Sequence, residues 1–168
     1  MQHPPFFSSF RYAANGIITA LKQERNLRFH LCTGFYVILF SLFYEFTKAE
    51  YCVLVLAICG VMAMELVNSA LERTVSNPEP ARWLTAGVVK DMAAGAVLVF
   101  SIGAAVCGVI LFWQPSTLIK IGEWFFSRPL MLLLLVASFV VSWVFIFHPK
   151  WLFGRIKQKI QDKKGGSF

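Results

Sequence analysis

Ionisable side chains are scarce in the apolar half of this sequence, so those that interrupt a hydrophobic run carry the most information. The run ending Met64-Glu65-Leu66-Val67-Asn68-Ser69-Ala70-Leu71-Glu72 contains two carboxylates and an amide. Glu65, Asn68 and Glu72 stand at i, i+3 and i+7, so a helix places them on one face, with Ser69 alongside. Two carboxylates with an amide between them can hold a divalent cation and accept a proton at one place. Lys90-Asp91 opens a later apolar run, where the ammonium is suited to phosphate oxygens, and Glu24 closes an N-terminal amphipathic segment. A packing explanation fits the same residues. Asn68 and Ser69 can act as interhelical glue, and Glu65 can be a satisfied buried acid in an oligomer. An ionisable group within a membrane span costs about 2.5–3.5 kcal/mol on insertion scales, so either role must offset that cost. Neither GxxxxGK[ST] nor a kinase-type glycine loop is present, so spacing alone does not single out a nucleotide.

The elements that must position these groups follow from composition. Of 168 residues 57% are hydrophobic and 15% charged, a balance that excludes a large soluble core. A bilayer core takes roughly 20 mostly apolar residues per helix. Four stretches meet or approach that length: Phe29–Phe46, Tyr51–Ala70, Met92–Trp113 and Pro129–Phe147. Tyr44, Tyr51, Trp113, Trp124 and Trp151 fall near their ends, where aromatic belts are expected. Asn77-Pro78 and Pro80 end the second span and make a turn. Residues 1–28 are expected to form an amphipathic surface helix rather than a secretory signal. Phe6, Phe10, Ala14, Ile17, Ile18 and Leu21 recur at helical spacing, while Arg11, Lys22, Glu24, Arg25 and Arg28 interrupt any apolar leader.

Basic residues set the expected orientation. With the N-terminus cytoplasmic, thirteen lysines and arginines fall on the cytoplasmic side and three outside, so both termini are expected to face the cytoplasm. The net charge of +7 flanks the spans, a pattern of topology and anionic-lipid contact, and nucleic acid is not expected as a partner. Cys32, Cys52, Cys59 and Cys107 form no CxxC pair and read as small buried hydrophobes. The expected fold is an all-α membrane protein with four parts. These are a surface helix (1–28), three spans (29–113), an outer connection with a fourth span (114–147), and a basic tail (148–168) suited to an interfacial helix.

Glu65-Leu66-Val67-Asn68-Ser69-Ala70-Leu71-Glu72, followed eighteen residues on by Lys90-Asp91-Met92-Ala93-Ala94-Gly95-Ala96, resembles the signature of the prokaryotic diacylglycerol kinase family, which includes the undecaprenol kinases. Tyr12, Gly16 and Glu24-Arg25-Asn26 match it as well, so the resemblance covers about residues 6–113. The Glu-Arg-Asn-x-Arg-x-His form is more similar to the Gram-positive undecaprenol kinase branch. The resemblance implies a homotrimer of three-span subunits in the bacterial inner membrane, with active sites shared between neighbours. It implies Glu65 as general base, Glu24 and Glu72 as ligands of a magnesium ion on the ATP phosphates, and Asn68 as an orienting group. Tyr12, Lys90 and Asp91 would contact nucleotide. Ser76 stands where the family usually has Asp, and Gly87 where a basic residue is common. The implied activity is phosphorylation of a membrane lipid alcohol, undecaprenol first, with diacylglycerol as the alternative. A non-catalytic scaffold on the same frame is the reading from a different class, and the fourth span lies outside the resemblance.

Overall fold

In the computed structural model, residues 6–76 and 83–148 are described, with side chains from 8–76 and 85–148. They form six helices and, among the described residues, no strand: α1 (Phe6–Gln23), α2 (Arg25–Ser41), α3 (Lys48–Thr74), α4 (Trp83–Phe112), α5 (Pro115–Phe126) and α6 (Pro129–Phe147). The Asn77–Pro80 turn and the basic tail fall outside the described residues. The all-α expectation holds. Three helices, α3, α4 from Thr85, and α6, are long and apolar enough to cross a membrane.

The first apolar run differs from the expected Phe29–Phe46 span. Its helix begins at Arg25 and stops at Ser41, and 17 residues rise only about 25 Å against a hydrocarbon core of about 30 Å. Hydropathy continues to Phe46, but after Ser41 the chain makes one tighter turn, with the Phe43 and Tyr44 N–H groups on the carbonyls of Phe40 and Ser41 at 3.1 and 3.0 Å, and enters an aromatic cluster. Tyr44 packs edge-on to Phe112 at 4.9 Å between ring centroids, and Phe46 meets both Phe112 and Tyr51. The Tyr44 hydroxyl donates to the Phe112 carbonyl at 3.1 Å, beside the Gln114 N–H that reaches the same carbonyl at 2.8 Å. The chain then restarts on a capping box. Glu50 N–H donates to Thr47 Oγ1 at 3.3 Å, and Thr47 N–H donates to Glu50 Oε2 at 2.6 Å.

The described residues within 29–127 make one compact unit, and those within 6–28 and 128–148 make the other. Within the first of these, α3 and α4 run antiparallel as its main packed pair. Small residues bring the helices close. A Cβ at Gly60 would land on the Phe100 ring, and one at Gly34 would come within 2.7 Å of Ile58 Cγ2. The buried stripe of α3 is Leu54, Val61, Glu65, Asn68 and Ser69, so its last positions exchange apolar side chains for polar ones on an unbroken helical face. On α4 the buried positions are Ala86, Ala93 and Val97. A largely apolar cavity of about 340 Å³ lies among α2, α3 and α4, lined by His30, Gly34, Val61, Ser101, Ala104 and Gly108 among others.

The connection between Phe112 and the last apolar run forms the helix α5. Pro115 opens it at a position that needs no N–H donor. Trp124 and Phe125 pack on Phe43, and Phe125 also meets Phe40. In the other unit, α1 is a helix of 18 residues whose Phe10, Tyr12, Ile17 and Ile18 side chains are exposed.

Candidate active site

Helix α3 rises about 40 Å over its 27 residues, more than the roughly 30 Å of a hydrocarbon core. Glu65 is 4% exposed and Asn68 9% exposed at the C-terminal end of its packed stripe. Burial of a carboxylate demands a partner, and His30 on α2 supplies one, with Nε2 3.4 Å from Glu65 Oε1. His30 was not singled out among the site residues from sequence. It stands six residues after Glu24 in the same run, and only the meeting of α2 with α3 reveals its role.

One turn further along α3, Asn68 Nδ2 donates to Glu72 Oε1 at 3.2 Å. This bond fixes the orientation of the amide, because the opposite assignment would face an oxygen toward a carboxylate. Asn68 Oδ1 is consequently buried with no hydrogen-bond partner among the described residues. Glu72 itself is exposed, so the face grades from a buried carboxylate through an amide to an open one. The end of α3 is closed by the Thr74 hydroxyl on the Ala70 carbonyl and the Ser76 hydroxyl on the Arg73 carbonyl, at 2.9 and 3.0 Å. Ser76 therefore serves the helix terminus.

Lys90 follows Ala86 by four residues and precedes Ala93 by three, so it shares the α4 face that packs toward α3. The antiparallel register, with Gly60 against Phe100, puts Lys90 level with Glu72. Lys90 is half-buried and Asp91, on the adjoining face, is exposed. A side chain at Gly87 would meet nothing within 4 Å. Glu65, Asn68, Glu72 and Lys90 thus share one end of the α3–α4 pair. Tyr12 and Glu24 belong to the other compact unit. Tyr12 is exposed on α1 with the Arg11 guanidinium 5.7 Å from its ring centroid, and Glu24 lies between α1 and α2.

Among the described residues no three His, Cys, Asp or Glu side chains cluster as a complete metal cage. Magnesium does not require one, since it is held through one or two carboxylates together with substrate phosphates and waters. The open Glu72 carboxylate beside the unpartnered Asn68 Oδ1 fits that donor chemistry.

The profile describing prokaryotic diacylglycerol kinase matches residues 11–112. The chain belongs to this family. The matched stretch contains every site residue named above and leaves out α5 and α6. Among individual proteins, it is 35% identical over 107 residues to the undecaprenol kinase of Bacillus subtilis (strain 168), covering 64% of this chain and 87% of that one. It is 38% identical over 120 residues to a diacylglycerol kinase of Synechocystis sp., covering 67% and 65% respectively. A diacylglycerol kinase of Haemophilus influenzae is 31% identical over 106 residues, covering 63% and 86%. No solved structure matches. The protein is a membrane-embedded lipid kinase, all-helical across its described residues.

Proposed function

We propose that this kinase phosphorylates undecaprenol from ATP in the bacterial inner membrane, with both termini cytoplasmic, and that it works as a homotrimer. The observation that carries the assignment is the buried Glu65 carboxylate held by His30 at the head of the Asn68–Glu72 face. His30 ends the Glu-Arg-Asn-x-Arg-x-His run that resembles the undecaprenol kinase branch, so the feature marking the branch touches the proposed base. The named undecaprenol kinase relative is also matched over most of its length.

In the reaction the lipid hydroxyl oxygen attacks the γ-phosphorus, its bond to phosphorus forms as the bridging oxygen leaves with ADP, and Glu65 takes the hydroxyl proton. Phosphoryl transfer asks the protein chiefly for positioning and charge compensation. Asn68 orients the reacting groups, Lys90 meets phosphate oxygens, and Tyr12 and Asp91 contact the nucleotide. Glu72 and Glu24 would hold a magnesium ion, which would supply positive charge to compensate the phosphates. The thirteen-to-three bias of basic residues, counted with the Phe29–Phe46 run as a fourth crossing, supports the orientation.

The test uses full-length protein in mixed micelles with γ-labelled ATP, magnesium and either undecaprenol or diacylglycerol. Label is expected in undecaprenyl phosphate. Glu65→Gln is expected to lower turnover by about 10²–10⁴-fold, the range for general-base catalysis, while Glu72→Gln raises the magnesium and ATP requirement. Full rates in both variants would overturn the site. Preferred labelling of diacylglycerol would instead support the second reading, which the two diacylglycerol kinase relatives favour.

A further inference from the structure

Helix α6 lies outside the family match, yet it engages the corner that carries Glu24. The engagement runs through Arg28, which is 3% exposed. Its Nε and Nη2 donate to the Ile146 carbonyl at 3.1 and 2.9 Å, while Nη1 donates to the carbonyls of Leu21 at 2.9 Å and Lys22 at 3.3 Å. Leu21 and Lys22 belong to the last turn of α1, and Ile146 is the penultimate residue of α6. The last four carbonyls of a helix have no partner within it and carry the negative pole of its dipole. One guanidinium thus closes the C-termini of two helices. Arg25, one turn earlier, sets its guanidinium 5.8 Å from the Phe147 ring centroid, a second hold on the same end of α6.

Glu24 lies between these contacts. It separates α1 from α2, its N–H donates to the Ala20 carbonyl at 2.7 Å, and its carbonyl accepts from Arg28 N–H at 3.4 Å. Fixing the carbonyls of Leu21 and Lys22 on one side and the Arg28 side chain on the other leaves the Glu24 backbone little freedom. We infer that α6 is a clamp on the α1–α2 corner and that Arg28 is a positioning residue, which through this corner aims the Glu24 carboxylate at the metal–nucleotide. The aim rests on the reading of Glu24 given above, whereas the clamp does not. A guanidinium is required because its planar fork reaches two groups of carbonyls at once, whereas an ammonium is a compact point charge. The basic residue here is therefore not interchangeable.

Two full-length variants test this from opposite sides: Arg28→Lys, and the pair Ile146→Ala with Phe147→Ala, which loosens the α6 end without touching a proposed catalytic group. Both are expected to raise amide exchange across Ala20–Leu27 and to raise KM for magnesium–ATP by about tenfold, with KM for lipid unchanged. Combining them should add little, because contacts in one network are not additive. Glu24→Gln is the control. Unchanged exchange in both variants overturns the clamp. Faster exchange without a change in KM, while Glu24→Gln raises it, overturns the positioning role. If Glu24→Gln is silent, the Glu24 assignment fails, and the exchange data alone decide the clamp.

Discussion

Replacing Asn68 by Leu should separate stability from activity. Leu keeps the branched shape of Asn with two methyls in place of the amide atoms. In the native chain Oδ1 is buried without a partner among the described residues, and such an atom carries a desolvation cost of about 1–3 kcal/mol. Leu removes that cost. It also removes the 3.2 Å bond from Nδ2 to Glu72; because the acceptor is exposed, that bond belongs near the ordinary net value of about 0.5–1.5 kcal/mol. The balance runs from neutral to about 2 kcal/mol in favour of the variant. In thermal unfolding, roughly 2–4 °C accompanies each kcal/mol for a chain of this size, so the midpoint should stay level or rise by several degrees. Turnover should fall by about 10²-fold, the effect of misplacing a reacting group by about 1 Å. A midpoint lowered by more than about 4 °C would mean that Oδ1 has a structural partner in the assembled protein. Retained turnover would remove Asn68 from the chemistry. Either outcome refutes the argument.

His30→Ala should leave KM for ATP unchanged and lower turnover by up to about 10²-fold, with His30→Gln recovering part of the loss; steady-state kinetics with labelled ATP checks both. Gly60→Ala drives a Cβ into the Phe100 ring, and overpacking of this kind costs about 1–3 kcal/mol; adding Phe100→Leu should restore most of the lost midpoint. Tyr44→Phe strips a hydroxyl from the Phe112 carbonyl and should cost about 0.5–1.5 kcal/mol, with no change in turnover at saturating substrate.

The long helices were legible because α3, α4 and α6 are apolar over whole spans, which hydropathy measures directly. Helix termini were less so. Nothing in the composition of Leu42–Phe46 distinguishes a continued helix from a tighter turn into an aromatic cluster; Phe112, far along the chain, makes the difference. Helix α5 carried a local signal in Pro115, overshadowed by the polar and aromatic mixture around Trp124. At the site, the shared face of Glu65, Asn68 and Glu72 followed from helical spacing alone. That face also grades in burial from Glu65 to Glu72, a division set by the depth of the packed stripe and invisible to periodicity. The partners of Glu65 and Arg28 were hidden for the same reason. His30 is 35 residues from Glu65, and Ile146 is 118 residues from Arg28, so neither pairing leaves a local pattern.

Two buried side-chain oxygens lack partners among the described residues, Asn68 Oδ1 and Ser101 Oγ, and their meanings differ. A serine hydroxyl in a helix can swing onto the carbonyl of the preceding turn by rotating one bond, as Ser138 and Ser41 do onto Leu135 and Ile38. Ser101 can therefore relieve its deficit within α4. Asn68 has no such freedom, because its Nδ2 is committed to Glu72 and turning the amide would set oxygen against oxygen. On the same helix the buried Glu65 carboxylate is met by His30. Helix α3 pairs Glu65 with His30 and Asn68 Nδ2 with Glu72, yet leaves Asn68 Oδ1 without a partner among the described residues. Under the function proposed above, that oxygen is the acceptor for a cation or a donor hydroxyl arriving at this end of α3.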